Sequence, residues 1–179
     1  MPRINKTKYA LLGVLSMGPA SGYDIKEKMA ASTNHFWREG DSSIYPILKQ
    51  LLNDKLVTCE LENQDSDKPK KVYSINAAGS AALESWLLKE PEWYQGRNEL
   101  LLKVFFGWNV EPTAIITHLQ SFKQRLETFQ ALHTQRCQRL PLDSDGLHRL
   151  LTLNAGIIYS KAGIDWCEQS IEALNHAAD

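Results

Sequence analysis

A mainly α-helical chain in two parts is what this sequence predicts, and three observations carry the prediction. Most segments place apolar residues three and four apart, the spacing of a helix with one buried face. Only two short segments, around residues 57–61 and 72–75, have the look of strands. Beyond Glu90-Pro91 the pattern changes again, to two long stripes with coiled-coil spacing.

The bulk properties suit a folded protein. Of 179 residues, 43% are apolar and 23% charged, an ordinary globular balance. No stretch reaches the roughly 18 consecutive apolar residues of a membrane span. The N-terminal residues lead to a short apolar run with no small-residue cleavage site, so a cytoplasmic location is expected. Three cysteines (Cys59, Cys137, Cys167), odd in number and without a CxxC pair, point to reduced thiols rather than a disulfide framework or a zinc site. The formal net charge is −1. Residues 1–90 carry 12 basic and 11 acidic side chains and residues 91–179 carry 8 and 10, so any surface for a polyanion must be local.

In the first part, Thr7 to Ser16 is a compact apolar helix (Tyr9, Leu11, Leu12, Val14, Leu15) stopped by Met17-Gly18-Pro19. Ser21 with Asp24 three residues on is a capping box, opening a second helix with Ile25 and Met29 on one face. After Phe36-Trp37 and the turn at Glu39-Gly40-Asp41, a third helix is expected to begin near Ser42 or Ser43. Its Ile44, Ile47, Leu48, Leu51 and Leu52 make one continuous buried stripe. Pro46 is expected in the first turn, where its missing N–H costs little. Val57, Cys59 and Leu61 alternate with Thr58, Glu60 and Glu62 as a half-buried strand. A polar run from Asn63 to Lys71 leads to a second strand at Val72-Tyr73-Ser74-Ile75. A fourth helix, Ala77 to Leu88, returns Leu83, Trp86 and Leu87 to the core. Three helices, a hairpin and a closing helix are the order of a winged helix-turn-helix with a two-stranded wing.

In the second part, Glu99 to Trp108 is a short apolar helix and Pro112 opens a long one. Ile115, Leu119, Phe122, Leu126 and Phe129 are spaced 4, 3, 4, 3 along it. Leu140-Pro141-Leu142-Asp143-Ser144 breaks the pattern. A last helix, about Gly146 to Ala177, repeats it through Leu150, Leu153, Ile157, Ser160, Ile164, Cys167, Ile171 and Leu174. Leu147, Leu151, Ile158 and Trp166 widen that last stripe beyond what one partner helix covers, which points to a second chain. Leu119, Phe122, Leu126, Phe129, Leu150, Leu153, Ile157, Ile164, Trp166 and Ile171 are therefore the expected dimerisation residues. The chain is divided into a winged-helix domain, 1–90, and an all-α dimerisation domain, 91–179.

With its core stripe set aside, the third helix presents Ser43, Tyr45, Pro46, Lys49 and Asn53. A donor hydroxyl, a phenol, an apolar ring and a cation on one face are what base edges and phosphates need in a major groove. An isolated helix with these residues would more simply be a solvated surface; the strands and helices around it favour DNA. Lys68-Pro69-Lys70-Lys71 puts three cations in four residues at the wing, suited to phosphates, although Asp65 and Asp67 oppose them and a basic edge also guards against strand pairing. Lys6 and Lys8 are further candidates for the DNA backbone.

Enzyme motifs are missing: no HExxH, G-x-S-x-G, phosphate loop or GxGxxG, and the five histidines show no ligand spacing. No catalytic residue, cofactor or metal site is expected. Trp93, Tyr94, Trp108 and Trp166 are explained first by packing, with a small flat aromatic effector at a subunit interface as the alternative. A winged-helix protein-interaction module is a further alternative.

Tyr9-x-Leu11-Leu12-Gly13, Gly22-Tyr23-Asp24-Ile25, Phe36-Trp37, Ser43-Ile44-Tyr45-Pro46-x-Leu48, Leu56-Val57, Val72-Tyr73-Ser74-Ile75, Ala78-Gly79 and Trp86-Leu87 together resemble the PadR family of transcriptional regulators. Arg97-Asn98-Glu99 and Lys103 before two long helices are similar to its longer-tailed, AphA-like virulence-activator branch. Asn76 and Gln50 depart from the family, which often has threonine and a basic residue there. The resemblance implies a homodimer binding a pseudo-palindromic operator in double-stranded DNA, with Tyr45, Lys49 and the basic wing in contact.

Overall fold

Leu11, Leu12, Val14 and Leu15 of α1 (Thr7–Ser16) are buried, and the rest of the first unit is assembled around them. The computed structural model describes residues 6–34, 36–37, 40–62, 70–92, 96–141 and 143–176. The chain divides into two compact units, residues 1–92 and 93–179.

The capping box at Ser21 forms as its spacing predicts. Ser21 Oγ accepts the Asp24 N–H at 3.2 Å, and the Asp24 carboxylate accepts the Ser21 N–H at 3.0 Å. Together they start α2 (Gly22–Ser32), which contributes Ile25 and Met29 to the core. In α3 (Asp41–Asn53), Ile44, Ile47, Leu48 and Leu51 are buried along one face, each burial stabilising the fold by roughly 1.5–3 kcal/mol.

The helix starts one to two residues earlier than expected, at Asp41 behind an extended Gly40, and this corrects the placement of Pro46. Proline is the sixth residue of the helix, not a first-turn residue, and its ring removes the N–H that would bond the Ser42 carbonyl. The buried stripe on either side of it holds the helix together regardless.

A Schellman turn ends α3. Leu56 N–H donates to the Leu51 carbonyl and Lys55 N–H to the Leu52 carbonyl, with Lys55 left-handed at φ 57°. The chain then enters β2 (Val57–Glu62), which pairs antiparallel with β3 (Lys70–Ile75), Cys59 opposite Tyr73 and Glu62 opposite Lys70. The two-stranded wing expected from the sequence is this β2–β3 hairpin, and a third, two-residue strand joins its sheet. β1 (Ala20–Ser21) pairs with β3 at Tyr73 and Val72, giving the order β1-β3-β2. Two residues, one alanine and one serine, are too few to show alternation, so only the fold reveals them as a strand.

Asn76, one of the two departures from the resembled pattern, is well used. Its Oδ1 accepts the Gly79 N–H at 2.9 Å, capping α4 (Ala77–Leu87), and its Nδ2 donates to the Lys55 carbonyl at 2.9 Å. Helix α4 closes onto α1 through Trp86, stacked on Tyr9 with centroids 4.7 Å apart.

The second unit contains α5 (Glu99–Phe105), a 3-10 turn at Gly107–Asn109, α6 (Pro112–Cys137) and α7 (Ser144–His176). Asn98 caps α5 by accepting the Leu101 N–H, Pro112 sits at the first turn of α6, and Asp143 accepts the Gly146 N–H at the start of α7. At 26 and 33 residues, α6 and α7 span about 39 and 50 Å. They pack on each other antiparallel. Ile115, Leu119 and Cys167 form the buried centre, Lys123 pairs with Glu168, and Gly163 lets Leu126 approach so closely that a Cβ there would be 2.7 Å from Cδ1. Burial pushes the Cys167 thiol pKa up. Among the described residues, no helix is long and apolar enough to cross a membrane.

Candidate nucleic-acid interface

The outer face of α3 is the mirror of its core stripe. Tyr45 is 61% exposed, Pro46, Lys49, Gln50 and Asn53 are exposed, and Ser43 is half-buried. This follows from geometry, since a helix buried through Ile44, Ile47, Leu48 and Leu51 must turn the intervening positions outward. Tyr45 also packs back onto the first turn of α2, its ring lying where a Gly22 side chain would be. The glycine therefore sets how close the phenol rests to the protein.

The wing cations differ from one another. Lys68 lies outside the described residues. Lys70 Nζ is 2.9 Å from Asp24 Oδ2, at the start of α2. The pair with Lys70, followed by the Ser21 donors, holds the Asp24 carboxyl down at about 2, and Asp24 in turn raises Lys70. Lys71 is exposed opposite Leu61 and makes no ion pair among the described residues. At the other edge of the unit, Lys6 Nζ is 2.9 Å from Glu92, and Lys8 Nζ lies over the Tyr9 ring at 4.9 Å. The acids that neutralise Lys70 and Lys6 were missed by sequence reasoning, because both are distant in the chain. Asp24 was visible only as a capping residue.

In the second unit the coiled-coil seam closes within the chain. Leu119 is fully buried and Leu153 is 6% exposed, both within the second unit. A 4-3 spacing does not by itself say whether the partner helix is in the same chain. Phe122, Trp166 and Ile171 pack partly against the same cluster, and Leu126, Phe129, Leu150, Ile157 and Ile164 are half-buried. What the seam leaves uncovered is another set. Leu147, Leu151 and Ile158 share a face of α7 at 51%, 57% and 65% exposure. Phe105, Phe106 and Trp108 form an edge-to-face cluster with centroids 4.9–5.7 Å apart, largely exposed, beside exposed Leu101 and Leu102.

Of the aromatic residues considered for an effector, Trp93 and Tyr94 lie outside the described residues. Trp108 is exposed, and Trp166 packs on the α6–α7 core. An open groove of about 660 Å³ does exist in the second unit, lined by Arg97, Lys103, His118, Phe122 and Arg125 among others. Its charged lining is Arg97, Arg125 and Lys103, the last paired with Glu99 at 2.9 Å, beside one aromatic ring.

Residues 11–85 match the Transcriptional regulator PadR-like family, and residues 96–175 match Virulence activator alpha C-term. The Negative transcriptional regulator PadR of Bacillus subtilis is 35% identical over 100 residues, 55% of this chain and 55% of that protein's length. The crystal structure of Bacillus subtilis PadR in complex with operator DNA is similar at a TM-score of 0.85, with 26% identity, covering 96% of this chain and 99% of that one. Its complex with p-coumaric acid is similar at 0.77, with 25% identity over 94% and 98% of the two chains. The Vibrio cholerae virulence activator AphA is similar at 0.77, with 26% identity over 95% and 98%.

Proposed function

We infer that this chain, which belongs to the PadR-like family of transcriptional regulators, binds a DNA operator as a homodimer through the outer face of α3 and the wing. The observation that carries the reading is the division of α3 into two faces. Ile44, Ile47, Leu48 and Leu51 are buried, whereas Tyr45, Pro46, Lys49 and Asn53 are exposed on the other side, Tyr45 resting only the side of its ring on Gly22. Ser43 and Tyr45 near the start of the helix, and Lys49 one turn beyond Tyr45, reach base edges and phosphates in a major groove. Lys71 of the wing meets the backbone; Lys8 is a weaker contact at the other edge.

The second copy covers the faces that α6 and α7 leave open, with Leu147, Leu151, Ile158 and the Phe105, Phe106 and Trp108 cluster at the contact and half-buried Leu150, Ile157 and Trp166 behind it. A two-fold dimer matches a pseudo-palindromic site with half-sites about one turn, roughly 34 Å, apart or a small multiple of it. Two weak half-site contacts then act as one through effective concentration, which lets a chain of net charge −1 bind specifically.

The test uses a duplex selected by the chain itself from a random library. Lys49→Ala and Tyr45→Ala are expected to abolish binding to it without lowering the melting temperature. Wild-type binding by both variants would remove α3 from the interface.

The groove around Arg97 and Arg125 supports a second reading, control by a small aromatic carboxylate, since two guanidiniums beside Phe122 suit an anionic group on a ring. Titration of intrinsic tryptophan fluorescence with p-coumaric acid tests it, and an unchanged signal in both the wild type and Arg125→Ala would set that compound aside.

A further inference from the structure

We propose that Asp24 and Lys70 form a latch that aims the wing relative to α3, so that Lys70 positions the wing and Lys71 is the described wing lysine that meets the DNA backbone. The proposal rests on the reading that α3 and the wing bind DNA, and it deepens it.

The geometry makes the first turn of α2 a hub. Asp24 Oδ2 takes three donors: the Ser21 N–H at 3.0 Å, the Ser21 hydroxyl at 2.8 Å and the Lys70 ammonium at 2.9 Å. Ser21 is itself paired with Val72 of β3, the residue two before which is Lys70. Because β1 has only two residues, its ladder with β3 ends at Val72. The ion pair carries the hold on to Lys70, where β3 runs out toward the tip. Residues i and i+2 share a face of a strand, so Lys70 reaches the side on which α2 begins while Lys71 faces the other way. Tyr45 rests on Gly22, the residue after Ser21, so α3 is referenced to the same turn. One short segment, Ser21 to Asp24, therefore touches both DNA-facing elements.

Charge makes the same distinction. An exposed lysine–carboxylate pair contributes little to stability by itself, but a carboxylate with three charge-assisted or hydroxyl donors is held in one geometry. A lysine neutralised by Asp24 has little counterion to release when a phosphate approaches, whereas Lys71, which makes no ion pair among the described residues, releases about one. The salt dependence of binding counts such releases at about 0.9 per phosphate.

The experiment measures affinity of the full chain for a fluorescein-labelled duplex, selected by the wild type from a random library, at several KCl concentrations. Lys70→Met is expected to weaken binding by about three- to tenfold with an unchanged salt slope. Asp24→Asn weakens it similarly, although it frees a cation, and the double variant is no weaker than the worse single one. Lys70→Arg restores binding. Lys71→Met lowers the slope by about 0.9. In the free chain, amide exchange at residues 70–72 quickens in Lys70→Met and not in Lys71→Met. A slope lowered by Lys70→Met together with tighter binding by Asp24→Asn would overturn the latch, making Lys70 a phosphate contact and Asp24 a brake on it. Unchanged affinity in both single variants would also overturn it. If the wild type selects no duplex, the DNA-binding reading fails instead, and the exchange measurement alone decides the latch.

Discussion

Tyr45 lies across Gly22, so close that a Cβ on the glycine would come within 2.6 Å of the tyrosine Cε1. The contact joins the outward face of α3 to the first turn of α2, and it is made by the ring of a side chain that is mostly exposed. Such a ring can swing away at small cost, and alanine is itself the better helix former by up to about 1 kcal/mol. Gly22→Ala is therefore expected to leave the melting temperature within a few degrees of wild type while weakening binding to a selected duplex. Anisotropy titration and thermal unfolding of the same sample check it, and undiminished binding would mean the Tyr45 position does not matter.

Lys55 holds a left-handed conformation at φ 57° in the turn that ends α3, a cost of roughly 1–2 kcal/mol for a residue with a Cβ. Glycine relieves the strain but adds freedom to the unfolded chain, so Lys55→Gly should gain about 0.5–1 kcal/mol net. Urea unfolding measures the gain. Lys55→Ala, which keeps the Cβ, should show none of it.

Two kinds of leucine in the helical unit should respond differently. Leu119→Ala opens a cavity in the α6–α7 core and is expected to cost about 2–5 kcal/mol of stability. Leu151→Glu with Ile158→Glu alters only the exposed face of α7 and should leave helicity intact while converting a dimer to monomer in sedimentation velocity. A dimer that survives the double substitution would place the contact elsewhere.

The Asp24 carboxyl, held at about 2 mainly by Lys70 and then by the Ser21 donors, links the capping box to acid stability. Its folded value lies below the unfolded one of about 3.9. The stability it contributes is thus complete above about pH 4 and is lost as pH falls from about 4 to about 2. Across that window the difference in urea midpoint between the wild type and Asp24→Asn should shrink toward zero. A difference that stays constant would show that Asp24 does not titrate there.

Much of the first unit was legible in its residues. The start of α2 was readable because Ser21 and Asp24 are three apart and act on each other. The stripe Ile44, Ile47, Leu48, Leu51 marked both the buried and the outward side of α3. Pro46 was misplaced because an extended glycine, Gly40, can begin a helix without any side-chain signal, so the boundary moved while the face did not. The strand at Ala20-Ser21 was invisible because its hydrogen bonds are made by backbone, and backbone is the same in every residue.

The candidate site divides along the same line. Which helix presents polar groups, and which segments alternate as strands, follows from periodicities that neighbouring residues impose on each other through 3.6- and 2-residue geometry. Those features this chain determines locally. Which lysine is neutralised, by Asp24 or by Glu92, and whether Leu119 meets α7 of its own chain, depends on groups 46 to 86 residues apart in sequence. Electrostatics and packing act over a few ångströms of space, and only the folded chain decides which distant residues share them.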